Sequence, residues 1–260
     1  MANTLYPDIV VTKRYDSILS TKLDLQKFLT VDYDLAEASG MTKKISVKTV
    51  KGKVQDLAMG EGNTEYVEVS TAVTPYTVGT TQGRFMYHDE EAMSDDRVVE
   101  DGLTGVAELM VNDFTSKAIG EFAKATLKIT NATWKFDDVV DALALMNVEA
   151  EEGLFLLISP ANLAAFRKNL KESLQFAEAF ARSGYIGSVC GVPVYASKAI
   201  PANKAFLASK EAVTLFLKKD TEREVDRDPN NRTTTEYIRK VALVALTDAR
   251  KVVMITSEAE

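Results

Sequence analysis

The chain has 260 residues, of which 46% are hydrophobic and 27% are charged, so it is long enough for one core or two closely joined domains. Its net charge of -7 argues against stable nucleic-acid binding, because proteins that grip phosphates are usually basic. A single cysteine rules out an internal disulfide, and the longest apolar runs, at 154–158 and 241–246, are far shorter than the ~20 residues that cross a bilayer. We therefore expect a soluble, cytoplasmic chain without membrane contact.

The first 42 residues mix polar and apolar positions without a clear period. They either hold a short amphipathic helix, with Leu19, Leu23 and Leu25 among its apolar contacts, or form an extended arm. The sequence pattern leaves both alternatives open.

Residues 43–88 are predicted to form a long β-hairpin. The run KKISVKTV from Lys43 alternates apolar and polar side chains, and residues 64–81 are rich in β-branched and aromatic types. Between them, residues 52–63 form a turn region punctuated by glycine. Both faces of this hairpin are expected to be rather polar, so it cannot be stable alone and is a candidate partner-binding arm.

A long helix is predicted over residues 95–124, with Ser94 or Asp95 as its N-cap. At 1.5 Å per residue it would be about 45 Å long. We expect its apolar stripe to pack on a long strand at 237–246 of the same subunit. The stripe consists of Val99, Leu103, Val106, Met110, Phe114, Ala118 and Phe122, spaced three or four residues apart.

The second half alternates helices with short strands. Asp137 caps a helix, and a buried strand at 153–158 ends before Pro160, which begins the next helix. The charge-dense segment 218–235 turns at 228–231 and leads into the long strand, a turn near Asp248 and a final strand. The predicted fold class is α+β.

No arrangement for catalysis is found in the sequence. His88 is the only histidine and Cys190 the only cysteine, so a cluster of such ligands for a metal is excluded by count. Phosphate-binding glycine loops and a nucleophile elbow are absent, and the carboxylate pairs lack apolar surroundings. We expect a structural protein with no catalytic, cofactor or metal site; an enzyme using Cys190 and the many carboxylates is a weak alternative.

The segment around the cysteine is interpreted as a structural turn. Gly187 and Gly191 supply backbone freedom on either side of Cys190, and Pro193 directs the chain into a strand. Cys190 is then a small packing residue and not a reactive thiol.

Four stretches, taken in order, resemble the major capsid protein of tailed bacteriophages, which has the Hong Kong 97 fold. The first is AMGEGNTEYVEVSTAVTPYTVGTTQGRFMYHDEEAMSDD at 58–96, similar to the extended loop and the start of the spine helix. The others are LLISPANLAAFRK at 156–168, GYIGSVCGVPVYASKAIP at 184–201 and YIRKVALVALTDARKVVMIT at 237–256. Only their ordered combination is specific.

The resemblance implies a division of the chain and a function. The segments are an N-terminal arm at 1–42, an extended loop at 43–90, a peripheral domain with the spine helix at 91–130 and 212–248, and an axial domain at 131–211 and 249–260. The function implied is self-assembly into hexamers and pentamers of an icosahedral shell around double-stranded DNA, with no sequence-specific DNA binding. The shell would form in the host cytoplasm and persist in the virion.

The resemblance also implies partners and leaves one alternative open. Portal and decoration proteins are expected. Because the arm-like region begins almost at Met1, we expect a separate scaffolding protein, the alternative being that none is used. The alternative is an encapsulin-like shell of a cellular nanocompartment that packages a cargo enzyme. Proteolytic maturation and covalent cross-linking stay open.

Two subunit-contact regions are predicted. One is the tip of the extended loop, and the other is the charged turn, which is expected to meet equivalent turns across local threefold axes. Their residues are Gly60, Glu61, Gly62, Asn63 and Glu65 in the loop, and Arg223, Arg227, Asp228, Asn230, Asn231 and Arg232 in the turn.

Overall fold

The computed structural model describes residues 28–37, 39–95, 97–130, 132–147, 153–174 and 187–257. The predicted arm contacts at Leu19, Leu23 and Leu25 lie outside these ranges. Within them the chain forms two sheets, a two-stranded ribbon and five α-helices. The helices are α1 (Asp34–Glu37), α2 (Asp89–Ser94), α3 (Val98–Phe122), α4 (Phe136–Met146) and α5 (Pro160–Leu174), with a 3-10 turn at Ala249–Lys251.

The strands divide among three groups. The ribbon is β2 (Thr42–Lys51) paired with β3 (Glu68–Thr77). The first sheet has the order β1-β10-β11-β4 and contains β1 (Thr30–Asp32), β4 (Gly79–His88), β10 (Val213–Asp228) and β11 (Thr233–Leu246). The second sheet has the order β5-β12-β9-β6-β8-β7 and contains β5 (Leu127–Ile129), β6 (Leu154–Ile158), β7 (Ser188–Val189), β8 (Val192–Ala196), β9 (Lys204–Ser209) and β12 (Val252–Thr256).

The long helix is shorter than the sequence pattern indicates. Asp95 has extended backbone, with φ -134° and ψ 111°, and ends α2. Its carboxylate accepts a hydrogen bond of 2.9 Å from the backbone N–H of Arg97, the residue before α3. The prediction of one helix from residue 95 is therefore wrong at its start, and the 25 residues of α3 span about 37 Å.

The predicted packing of this helix on the long strand is confirmed from Leu103 onwards, whereas Val99 is not part of the shared core. Val106, Met110 and Phe114 on α3 share a hydrophobic core with Ile238 and Ala242 on β11. The stripe residues at 110, 114, 118 and 122 are nearly inaccessible to solvent. Burial of this stripe compensates for the three glycines that lower the helix's own stability.

The position of strand β4 corrects the prediction that residues 43–88 form one hairpin. It does not continue the ribbon; it lies antiparallel to β11, from the pair Thr233 and His88 to the pair Ala242 and Gly79. It also lies directly against α3, because Gly83 faces Val106 so closely that a Cβ there would be 2.4 Å from a Val106 methyl. The hairpin proper therefore ends at Thr77.

A continuous core lies between the two sheets. Phe122 of α3 contacts Phe155 of β6 and Phe206 of β9 with ring centroids 6.2 and 6.1 Å apart. Alternate residues of β6, such as Leu156, point into a second core with Val139 of α4 and Leu207 of β9. Strand β5 pairs with β12, so residues 127–129 belong to the second sheet although the sequence division ends the peripheral segment at 130.

The helices of the described ranges include α3, the longest, with 25 residues. None of them is both long and apolar enough to cross a bilayer.

Candidate subunit-contact surfaces

Among the described residues, the ribbon is attached to the body of the subunit only at its base. Ile45 and Val78 are buried in a small core with Phe216 and Leu243 of the first sheet. The ammonium of Lys43 lies 4.9 Å from the Phe216 ring centroid, a cation–π contact that adds to this attachment. Beyond this base the two strands contact each other and solvent.

The body of the ribbon exposes large apolar side chains, which corrects the expectation that both of its faces are rather polar. Met59 is fully exposed, and Val69 retains 61% of its accessible surface. Exposed apolar side chains concentrated in one projecting segment mark an interaction surface. The exposed set is Val50, Val54, Leu57, Met59, Tyr66, Val67, Val69 and Val73.

The predicted loop residues lie together at the exposed tip of the ribbon. Gly60 has φ +91°, a conformation that favours glycine, and the N–H of Glu61 donates to the carbonyl of Ala58 at 3.1 Å. The side chain of Asn63 accepts a bond of 2.8 Å from the N–H of Glu65. Gly62 lies between these two turns and is also exposed. The tip therefore has a defined shape that local hydrogen bonds maintain.

The turn between β10 and β11 is preorganised by its first residue. The Asp228 carboxylate accepts hydrogen bonds from the N–H of Asn230 at 2.9 Å and from the side-chain amide of Asn231 at 2.7 Å. These bonds favour the charged carboxylate, so the Asn230 N–H and then the Asn231 groups lower the pKa of Asp228. All three side chains are exposed.

Two arginines of the predicted charged turn are held within their own subunit. Arg227 pairs with Asp89 at 2.9 Å, and Arg232 pairs with Glu90 at 2.6 Å. The N–H of Asp89 also donates to the carbonyl of Arg232 at 2.9 Å. The turn is thus tied to the start of α2. The acidic residues at 89–91 were not predicted as partners of this turn, because the contact between Arg227 and Asp89 joins residues 138 positions apart in the chain.

The position of Arg223 corrects the prediction that this residue contacts a neighbouring subunit. Its side chain is 9% exposed and forms a two-bond ion pair with Glu236, which is 1% exposed. Burial and then the nearby Glu236 carboxylate raise the pKa of the Tyr87 hydroxyl. Because Arg223 is inside the first sheet's own packing, it is not available to a neighbouring subunit.

The cysteine segment forms a two-residue β-turn. Cys190 and Gly191 have φ of 51° and 77°, and they join the paired residues Val189 and Val192. Cys190 packs against the second core. Its neighbours complete the turn, since Pro193 lies opposite Ser188 and the Gly187 carbonyl accepts from the N–H of Val194 at 3.2 Å.

His88 and Cys190 do not form a nucleophilic pair in this fold. His88 ends β4 in the first sheet, and Cys190 follows β7 in the second. The N–H of His88 donates to the Glu91 carboxylate at 2.9 Å, a contact that begins α2. Over the described ranges, no group of three or more His, Cys, Asp or Glu residues could hold a metal ion.

Comparison with known proteins identifies phage capsid proteins and related shells. No protein-family model matches the chain. It is 26% identical over 269 residues to the major capsid protein of Staphylococcus phage phiMR11, covering 98% of this chain and 94% of that protein. Its structure is similar to the mature capsid of bacteriophage PhiM1, with a TM-score of 0.69, 12% identity, and 87% and 85% of the two chains covered.

An encapsulin complex is also among the similar structures. The holo-SrpI encapsulin complex from Synechococcus elongatus has a TM-score of 0.65 and 12% identity over 99% of this chain and 91% of that one. The predicted α+β Hong Kong 97 fold is confirmed, and so is the resemblance to phage major capsid proteins.

Proposed function

We propose that this chain, a structural shell protein with the Hong Kong 97 fold, is the major capsid protein of a tailed bacteriophage. It assembles into hexamers and pentamers of an icosahedral shell that encloses double-stranded DNA. The observation that carries the proposal is the alignment with the phage phiMR11 major capsid protein, which runs almost end to end through both chains.

The structure of the ribbon supports the proposal that the chain assembles with other copies. Its base is fixed by buried Ile45 and Val78, whereas Met59 and Val69 are exposed along its length. A projecting ribbon with such side chains gains free energy when a neighbouring subunit covers them, because apolar burial contributes about 25 cal/mol per Å². The tip residues, from Gly60 to Glu65, are the part that reaches farthest from this base.

The turn at 228–231 is the second contact in this proposal. Asp228, Asn230 and Asn231 are exposed and held in one shape by hydrogen bonds, which lowers the entropy lost when a neighbour binds. Arg227 and Arg232 act indirectly, since they fix the turn to α2. Equivalent turns meeting across local threefold axes would repeat this weak contact many times in a shell.

The negative charge suits a wall around DNA. A net charge of -7 disfavours tight adhesion of the subunit to phosphates, so the shell contains the genome without sequence-specific binding. The expected partners are a portal, a separate scaffolding protein and decoration proteins. Assembly would take place in the host cytoplasm, and the subunit would end in the virion.

An encapsulin-like nanocompartment is the second candidate function. It is favoured by the similarity to the Synechococcus elongatus shell, which covers 99% of this chain. The contents of purified particles discriminate between the two candidates. Nuclease-protected double-stranded DNA supports the capsid, and a single co-purifying enzyme would favour the nanocompartment.

The experiment that tests assembly through the ribbon is deletion of the tip, residues 60–65. The deletion leaves the buried base intact, so the variant should keep the circular dichroism of the parent chain and fail to form closed shells. A matched control replaces Glu61 and Glu65 with Gln and keeps the tip's length. Normal shells from the deletion variant would show that the ribbon tip is dispensable.

A further inference from the structure

The two edges of the ribbon differ in how they are protected from other strands. Strand β2 carries Lys43, Lys44, Lys48 and Lys51, and lysines on an edge strand discourage pairing with another chain. Residues 69–74 of β3 have no charge, no proline and no glycine. They are bounded by Glu68 and Pro75, which are residue types that interrupt strand pairing.

The unprotected edge is open in the isolated subunit. Strand β3 pairs with β2 alone in the sheet order of the described residues, so no described strand lies beside its other edge. All of its side chains except Tyr76 are exposed. Six uncharged residues on an open edge, four of them valine or threonine with high β propensity, form a template for strand addition.

We propose that this edge pairs with the same edge of a second copy, so that two ribbons join into a four-stranded antiparallel sheet. The inference rests on the proposed shell function, which supplies the second copy. Val69 and Val73 lie on one face of β3, opposite Val50 and Ser46 of β2. The charged edge of β10 at 218–228 is a poorer partner, because it would place charges against an uncharged strand.

Side-chain matching fixes the register. If Thr71 lies opposite Thr71 of the second copy, Val69 of each ribbon lies opposite Val73 of the other, so the valines of the two β3 strands pack in cross-strand pairs. A shift by one residue would place Val69 opposite Thr74. The valine-bearing faces of the two β3 strands would then lie on opposite sides of the sheet. A shift by two would place Val69 opposite Pro75, which lacks an N–H. The first register pairs the two valines of each copy with those of the other and leaves the proline outside the paired segment.

Disulfide trapping tests this register in the full-length chain. In a Cys190→Ser background, Thr71→Cys places two thiols opposite each other across the local twofold axis, within the span of a disulfide. Under mild oxidation we expect a disulfide-linked dimer in most of the protein, and at least fivefold less from Ser70→Cys. Absence of the Thr71→Cys dimer from particles and from every smaller fraction overturns the proposal, as does equal linkage through both positions.

A charge at the edge gives a second test that needs no disulfide. Thr71→Lys should lower the yield of ribbon-mediated association at least tenfold, because it places like charges opposite each other. Thr49→Lys on the lysine-bearing strand is the matched control and should leave the yield unchanged, as should Thr71→Val. Equal effects of the two lysine substitutions contradict the proposal.

These outcomes separate the pairing from the proposed function. Closed shells from the Cys190→Ser parent without any Thr71→Cys dimer would leave the shell function standing and exclude the ribbon pairing. Efficient dimers from a chain that never forms shells would support the pairing and contradict the function.

Discussion

The guanidinium of Arg223 and the carboxylate of Glu236 form a buried two-bond pair across β10 and β11. Nη2 lies 2.8 Å from Oε1, and Nε lies 3.0 Å from Oε2. Paired charges of this kind are tolerated inside a protein only because each neutralises and hydrogen-bonds the other. The pair therefore belongs to the stability of the first sheet and not to contacts between subunits.

Removing one partner of this pair should unfold the subunit more easily. We expect Arg223→Ala to lower the free energy of unfolding by about 3–5 kcal/mol, because it leaves a buried unpaired carboxylate. Arg227→Ala should cost roughly 0–1 kcal/mol, because the Arg227 side chain is exposed to solvent in its pair with Asp89. Urea denaturation of the unassembled subunit measures the unfolding free energy of each variant. Equal losses in the two variants would contradict the assignment of Arg223 to the stability of the first sheet. The double variant Arg223→Met with Glu236→Leu should recover most of the loss.

Two glycines of α3 provide a matched pair of substitutions. A Cβ at Gly102 would lie 2.4 Å from the Phe85 ring, whereas a Cβ at Gly105 meets nothing within 4 Å. Gly102→Ala should therefore destabilise the subunit by about 1–3 kcal/mol through overpacking. Gly105→Ala should stabilise it by roughly 0.5–1 kcal/mol, because alanine is the better helix former. Thermal unfolding of the two variants measures both changes in stability. If Gly102→Ala stabilised the subunit, α3 would not be held this close to β4.

The surface ion pair between Glu222 and Arg239, on the first sheet, makes the stability of the subunit depend on pH. Hydrogen bonds from Arg239 and then Lys219 lower the pKa of Glu222 from 4.5 to about 2. The folded state therefore binds this proton less tightly than the unfolded chain, so the pair's stabilisation is present above about pH 4.5 and is lost as pH falls towards 2. Glu222→Gln should be less stable than the parent at pH 6, with a gap that closes on acidification. In an Arg239→Gln background the gap should be smaller at every pH, and a gap independent of pH would refute this account.

The left-handed backbone of Cys190 gives a prediction about the thiol. Its φ of 51° suits glycine and asparagine and disfavours β-branched side chains. Cys190→Asn and Cys190→Ser should keep assembly intact and change stability by about 1 kcal/mol or less. Cys190→Val should cost more than either, roughly 1–3 kcal/mol, because of strain in the turn. Loss of particles from Cys190→Ser with a folded subunit would indicate a role for the thiol in assembly.

The order of elements could be predicted from the sequence, whereas their long-range pairing could not. The local pattern of apolar residues is enough to predict a helix from the stripe between Val106 and Phe122, and a buried strand from the run at 154–158. Strand β4 alternates with the same period as the ribbon, and only its pairing with β11 separates it from the hairpin. Arg223 was misassigned for a similar reason, because a charge-dense segment does not reveal that Glu236 lies beside it on the next strand.

The most direct measurement of the central claim is negative-stain electron microscopy of the purified full-length chain, with sedimentation to measure the mass of what is seen. The account predicts closed shells many times wider than a subunit, and their loss when the ribbon tip at 60–65 is deleted from a subunit that still folds. Folded parent chains that sediment only as monomers, with no shells at any protein concentration, would contradict it.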